Sequence, residues 1–177
     1  QGEPLLPTAL LRSTPYLQRT SMILLVFCGI AGVPFLLAIA LQAGPQLSPG
    51  EVAMALAAHP IFSMAGAAVA GRWHPANPWS LPSIGSILTC GGIVLIVIAF
   101  AQAGDDIAAP VLLIPLALVG FGMGLSNVAL MSGALAQVSN DVAGAASGML
   151  QTAQQIGITL SIAIVGGLYF ASTPDGT

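Results

Sequence analysis

Long apolar runs alternate with short polar breaks along this chain, and the spacing predicts five helices, each long enough to cross a bilayer. A hydrocarbon core about 30 Å thick needs ~20 consecutive apolar residues in a helix. Such runs fall at about 20–43, 51–71, 81–103, 109–138 and 141–171. None carries the charged face of a helix that lies on a soluble domain. The breaks between them hold what lipid rejects. Gly29, Gly32 and Pro34 interrupt the first run, and Gly44-Pro45 ends it. Ser48-Pro49-Gly50-Glu51 opens the second. Ser48 is placed to cap, Pro49 suits the first helical position, and Glu51 is spaced to close a capping box. The stretch Arg72–Trp79 contains a charge, prolines and two tryptophans, which favour the membrane interface. Asp105-Asp106 follow the third run, and Ser139-Asn140-Asp141 separates the last two.

Composition turns that pattern into a class. The chain has 177 residues, 56% hydrophobic and 5% charged, whereas an ordinary soluble domain is about 25% charged. No water-facing surface can be assembled from so few charges, so the expected fold is all-α: a polytopic transmembrane helix bundle of five spans. The only basic residues besides two histidines are Arg12, Arg19 and Arg72, which excludes a nucleic-acid-binding surface. Cys28 and Cys90 lie inside apolar runs and read as small buried thiols. No disulfide framework, metal site or cofactor is expected. The chain starts at Gln1 and reads as part of a longer protein.

The arginines set an expected orientation. Positively charged loops stay in the cytoplasm, so residues 1–19 form a cytoplasmic loop and the Arg72–His74 loop lies on the same side. Arg72 then anchors the cytoplasmic end of the second span. The loops 42–50 and 102–108 contain no Lys or Arg and fall outside, as does the tail 172–177. Ser48-Pro-Gly-Glu-Val-Ala and Ser139-Asn-Asp-Val-Ala open the second and fifth spans in similar words. They start on opposite sides of the membrane, a weak sign of inverted repeats.

The residues 119–170 concentrate the candidate chemistry. Gly120, Gly122 and Gly124 invite a nucleotide-binding reading, but that fingerprint needs its third glycine one place later, where Leu125 stands. Close helix packing is the better account, and it extends to Gly144, Gly148 and Gly157. Gln151, Gln154 and Gln155, with Thr152 and Thr159, form the densest polar group inside any span. Gln151 and Gln155 are one turn apart and share a face. Two readings compete: a substrate cavity, or hydrogen bonds between helices. Ser126 and Asn127 are a weaker case of the same choice. His59, mid-span beside Pro60, either faces a transport path or bonds a carbonyl that Pro60 frees. Glu51 and Asp141, each in the first turn of a span, read as caps rather than proton carriers.

With those residues in hand, the chain resembles the C-terminal half of a major facilitator superfamily transporter, most of all the fourteen-span drug:proton antiporter branch of EmrB/QacA type. Pro4-Leu-Leu-Pro with Leu10-Leu-Arg is similar to that branch's approach to its second six-helix bundle. Leu47-Ser-Pro-Gly and Ala67-Ala-Val-Ala-Gly-Arg72 are similar to a paired loop and span end. Gly120-Phe-Gly-Met-Gly-Leu125 resembles the glycine-rich tenth helix. Asp141-Val-Ala-Gly-Ala-Ala-Ser-Gly-Met-Leu-Gln-Thr-Ala-Gln-Gln-Ile-Gly157 resembles the eleventh and is the most specific match. The resemblance implies a partial six-helix bundle and proton-coupled efflux of a small lipophilic substrate. It also implies residence in the cell membrane's lipid bilayer and a missing N-terminal half as partner. The family often places an Asp-Arg pair where Pro75 and Ala76 stand here, and a sixth helix after Phe170. Two other classes compete: a truncated membrane interaction module without transport, and an intramembrane serine hydrolase built on Ser147 and His59. Ser147 lies in Ala-Ala-Ser-Gly, which lacks the glycine opening the usual intramembrane-protease motif.

Overall fold

The computed structural model describes residues 13–43, 47–73, 75–103, 107–136 and 138–172. Arg12, His74, Asp105, Asp106 and the end of the tail lie outside them. Every described element is helical: α1 (Thr14–Ile30), α2 (Gly32–Ala43), α3 (Pro49–Arg72), α4 (Ser80–Ala103), α5 (Leu113–Leu135) and α6 (Ala143–Ser172). Short 3-10 turns, Ala109–Leu112 and Asn140–Val142, lead into α5 and α6. Among the described residues five helices are long and apolar enough to cross a membrane: Thr14–Gln42, Pro49–Arg72, Ser80–Ala103, Ala109–Leu135 and Asn140–Tyr169.

The first of these begins at Thr14, earlier than the apolar run predicts. Ser13 takes an extended conformation and Pro15 sits in the first turn, where its missing N–H costs nothing. Tyr16 and Arg19, expected in a loop, are instead buried on the helix with Ile23 and Phe27. That spacing of three and four residues makes one face. The helix breaks at Ala31 because Pro34 cannot tolerate the carbonyl four residues back, that of Ile30. A turn separates α1 from α2 there.

The capping box predicted for α3 is present. The Ser48 N–H donates to Glu51 Oε2 at 2.9 Å, the Ser48 hydroxyl to the same oxygen at 2.7 Å, and the Glu51 N–H to Ser48 Oγ at 3.4 Å. Its proposed counterpart at Ser139 is not a box. Ser139 makes no side-chain cap, and Asp141 is exposed one residue short of the capping position, where Val142 stands. This removes most of the support for an internal repeat. Ahead of α4, the Trp79 N–H donates to Asn77 Oδ1 at 3.0 Å and Ser80 Oγ donates to the Asn77 carbonyl at 2.8 Å. Asn77 thus shapes the turn, and Trp73 and Trp79 beside it are exposed.

The chain divides into two compact units, residues 1–36 with 130–177, and residues 37–129. In the second unit, α5 receives a different helix on each of two faces. Gly120 and Gly124 bring it against the α3 backbone at His59 and Ser63, and Gly66 of α3 returns the contact at Phe121 and Leu125. Gly122 meets Gly85 and Thr89 of α4. A β-carbon at Gly92 would lie 2.7 Å from the Pro115 carbonyl, too close for any side chain. Glycines two apart therefore serve opposite neighbours. Ala70, Leu81 and Leu125 close this unit near one end. In the first unit α1 lies along α6. Tyr16, Ile23 and Phe27 on one side, with Ala146, Leu150, Ala153 and Gly157 on the other, are all buried. Cys28 is half-buried, but Cys90 is exposed, contrary to its reading as a buried thiol; it sits on α4 away from the faces that meet α5.

Candidate functional site

The polar residues of α6 divide into two faces with different partners. Ala146, Leu150, Ala153, Gly157 and Ser161 are buried and recur every three or four residues. Gly157 packs on α1: a β-carbon there would meet the Leu24 carbonyl at 2.6 Å and Phe27 Cβ at 3.0 Å. Ser161 accepts a hydrogen bond from the Gly32 N–H at 2.8 Å, which satisfies a donor released where α1 breaks. At the other end, the Tyr16 hydroxyl donates to the Ala146 carbonyl at 2.7 Å. Arg19 is 5% exposed, and its guanidinium fills the space a side chain at Gly133 would need.

The opposite face holds the predicted cavity residues. Gln151, Thr152, Gln155 and Thr159 are exposed, and Gln154 is half-buried. Thr152 donates to the Gly148 carbonyl and Thr159 to the Gln155 carbonyl, both at 2.9 Å and within the same helix. Gln151 and Gln155 make no hydrogen bond to another helix among the described residues, so they do not hold this unit together. Gly144 and Gly148 lie on this open face too. A β-carbon at either would meet nothing within 4 Å. Their spacing matched a helix-contact motif, yet α6 packs on α1 through the neighbouring stripe, and neither glycine lies in a seam among the described residues of its unit.

In the second unit the candidates also separate. Ser126 is buried and donates to the Pro82 carbonyl at 3.2 Å, so its hydroxyl is spent on joining α5 to α4. Asn127, the next residue, is half-buried and its Oδ1 has no hydrogen-bond partner among the described residues. His59 is half-buried with an Nε2 in the same condition. The bond to a carbonyl freed by Pro60 is therefore not made at that nitrogen. Arg72 is exposed in the last turn of α3, where a cation complements the negative helix end.

Sequence reasoning missed Tyr16, Arg19 and Ser161 as builders of the site's scaffold. The signal for the first two was present: Ser13-Thr14-Pro15 reads as a helix start, and the periodicity Tyr16, Arg19, Ile23, Phe27 runs straight back from the apolar run. Ser161 had no such signal, because its role follows from the break at Ala31.

Five apolar helices long enough to cross a bilayer, packed through glycine within their units, define a multi-pass membrane helix protein. Residues 1–162 match the Major Facilitator Superfamily, and the chain belongs to that family. It is 29% identical over 184 residues to the probable actinorhodin transporter of Streptomyces coelicolor, covering 99% of this chain and 32% of that protein. It is 27% identical over 177 residues to the tetracenomycin C resistance and export protein of Streptomyces glaucescens, covering 98% and 32% respectively. The chain thus spans about a third of the length of these curated relatives. No solved structure matches it significantly. The family is one of transporters, not enzymes, which removes the hydrolase alternative; Ser147 Oγ donates to the Gly144 carbonyl of its own turn at 2.9 Å.

Proposed function

We propose that this chain is the C-terminal part of a secondary transporter of the EmrB/QacA type that exports small lipophilic molecules across the plasma membrane. The observation that carries the reading is the exposed amide pair Gln151 and Gln155 on a membrane-spanning helix whose other face is already packed. Hydrocarbon cannot satisfy an amide, so polar groups at that depth face a bundle interior or a water-filled path. Two relatives named for transport or export support the same direction. In this reading the open face of α6 lines the path; within the other unit, His59 and Asn127 are the half-buried residues with polar atoms left for a ligand. The N-terminal half of the transporter supplies the opposing wall. Transport proceeds by alternating access of the two halves, driven by protons. The loop after Arg72 is placed in the cytoplasm because Arg72 is an exposed cation at that end of α3.

The test is efflux of a lipophilic dye from cells expressing the full transporter. Gln151→Ala combined with Gln155→Ala should abolish most of the efflux at unchanged membrane level. Efflux equal to the parent's would reduce both residues to bystanders and remove the central support. Orientation is checked separately: Ser139→Cys should react with an impermeant maleimide only from the cytoplasmic side.

A further inference from the structure

We propose that His59 is a proton-operated switch in the seam between α3 and α5. As a neutral imidazole it lets the seam close; as an imidazolium it opens the seam to water at His59 and Asn127. This rests on the reading that these two residues hold polar atoms for a ligand, and it states when those atoms are reachable. Gly120 and Gly124 of α5 touch α3 at the backbone of His59 and Ser63. Asn127, three residues beyond Gly124, continues the same face of α5. Both polar residues therefore stand at one seam, and each is half-buried. His59 Nε2 and Asn127 Oδ1 are shut from solvent and have no hydrogen-bond partner among the described residues. An atom already covered within this chain is out of reach of any other segment while the seam stays closed. The missing partner is thus a property of this packing, and it costs free energy.

A proton raises that cost sharply. A neutral imidazole has one N–H and one lone pair, so the covered nitrogen need only be the acceptor; an imidazolium has an N–H on both nitrogens. The closed seam then covers a donor without an acceptor, and a charge that has lost its water. A counter-charge from elsewhere cannot reach Nε2 either. Within the same unit, α2, α4, α5 and the 3-10 turn Ala109–Leu112 contain no Asp, Glu, Lys, Arg or His, and Cys90 is exposed on α4. On α3 itself Glu51 and Arg72 stand at the two ends, about 12 Å and about 20 Å from His59 along the helix. Opening relieves both defects at once: water accepts from the imidazolium and donates to the Asn127 amide oxygen. The proton enters from bulk water at the uncovered part of the ring and returns there before the seam closes.

The test is access to the seam in the full chain in detergent. Asn127→Cys, in a background of Cys28→Ser and Cys90→Ser, is labelled with a water-soluble maleimide. Its rate is divided by that of the same cysteine with His59→Gln added, which cancels the thiol's own pH dependence. The ratio should be near one at about pH 8 and rise severalfold by about pH 5, across the range where histidine ordinarily gains its proton. A ratio that does not change with pH overturns the switch. Nitrogen NMR of the imidazoles reads the proton itself in a chain unaltered at residue 59, with His74 identified by its loss in His74→Gln. His59 should gain its proton over the interval in which the labelling ratio rises. A ring that stays neutral throughout overturns the switch even where the substituted chains misfold. Neither measurement involves transport, so the two readings fail separately. A pH-independent seam in a chain whose efflux needs Gln151 and Gln155 sinks the switch alone. A pH-operated seam with efflux indifferent to those glutamines upholds the switch and sinks the path.

Discussion

The two units solve one problem, bringing apolar helices together where lipid is as apolar as they are, in different ways. In residues 37–129 the backbones themselves touch: Gly66, Gly85, Gly92, Gly120, Gly122 and Gly124 each stand where a β-carbon would strike a carbonyl or amide of the next helix. In the unit formed by residues 1–36 and 130–177, side chains fill most of the seam, and the backbones come close at Gly157, beside the Leu24 carbonyl, and at Gly32, beside Val165 and the Ser161 carbonyl. Tyr16, Ile23 and Phe27 fill the seam against small residues of α6, and two hydrogen bonds pin its ends. Membrane helices associate through van der Waals packing and interhelical hydrogen bonds rather than a hydrophobic drive. The first unit relies on both means, the second chiefly on close packing. A seam made of backbone has no side chain that can turn aside, so it tolerates less change.

That contrast is broken most forcefully at Gly124. Gly124→Val should cost about 3 kcal/mol or more, the upper range for overpacking, because a branched side chain would displace the α3 backbone at Ser63. Unfolding in mixed detergent micelles measures it, and a loss under ~1 kcal/mol would show that α3 and α5 can slide apart freely. Next is Ser161→Ala, which leaves the Gly32 N–H unpaired at the helix break; the expected loss is about 1–2 kcal/mol by the same assay. Tyr16→Phe follows at about 1 kcal/mol, since the Ala146 carbonyl keeps its place in the helix and only the extra bond disappears. If Tyr16→Phe proved as costly as Gly124→Val, the two seams would not differ in kind. The smallest effect sharpens the comparison: Gly144→Ala and Gly148→Ala should each be neutral or stabilise by up to ~1 kcal/mol through helix propensity, because both positions are open. A loss comparable to Gly124→Val would place them in a contact after all.

How legible the molecule was depended on the scale of the question. The helices of α3 and α4 nearly coincide with their apolar runs, and the Ser48–Glu51 cap was readable because a capping box is a local object of four residues. The start of α1 was misplaced because Arg19 was treated as a loop charge. Its burial against Gly133 depends on a residue more than a hundred positions away. Among glycines the sequence could not separate kinds. Gly120-x-Gly122-x-Gly124 and Gly144-x-x-x-Gly148 look equally fit for packing, yet the first is fully engaged and the second faces open space. The candidate site divided in the same way: Ser126 and Asn127 are adjacent, but one hydroxyl is sealed on Pro82 while the neighbouring amide oxygen is unpaired.

Solvent and secondary structure were determined by the sequence alone. Runs of apolar residues with almost no charge can be stable only in hydrocarbon, and there each backbone must satisfy itself as a helix. These are properties of each segment in isolation. Tertiary structure decided which face of each helix is spent on a neighbour. That depends on the register between segments far apart in the chain, and a glycine or glutamine has the same local chemistry whether it meets a backbone or nothing.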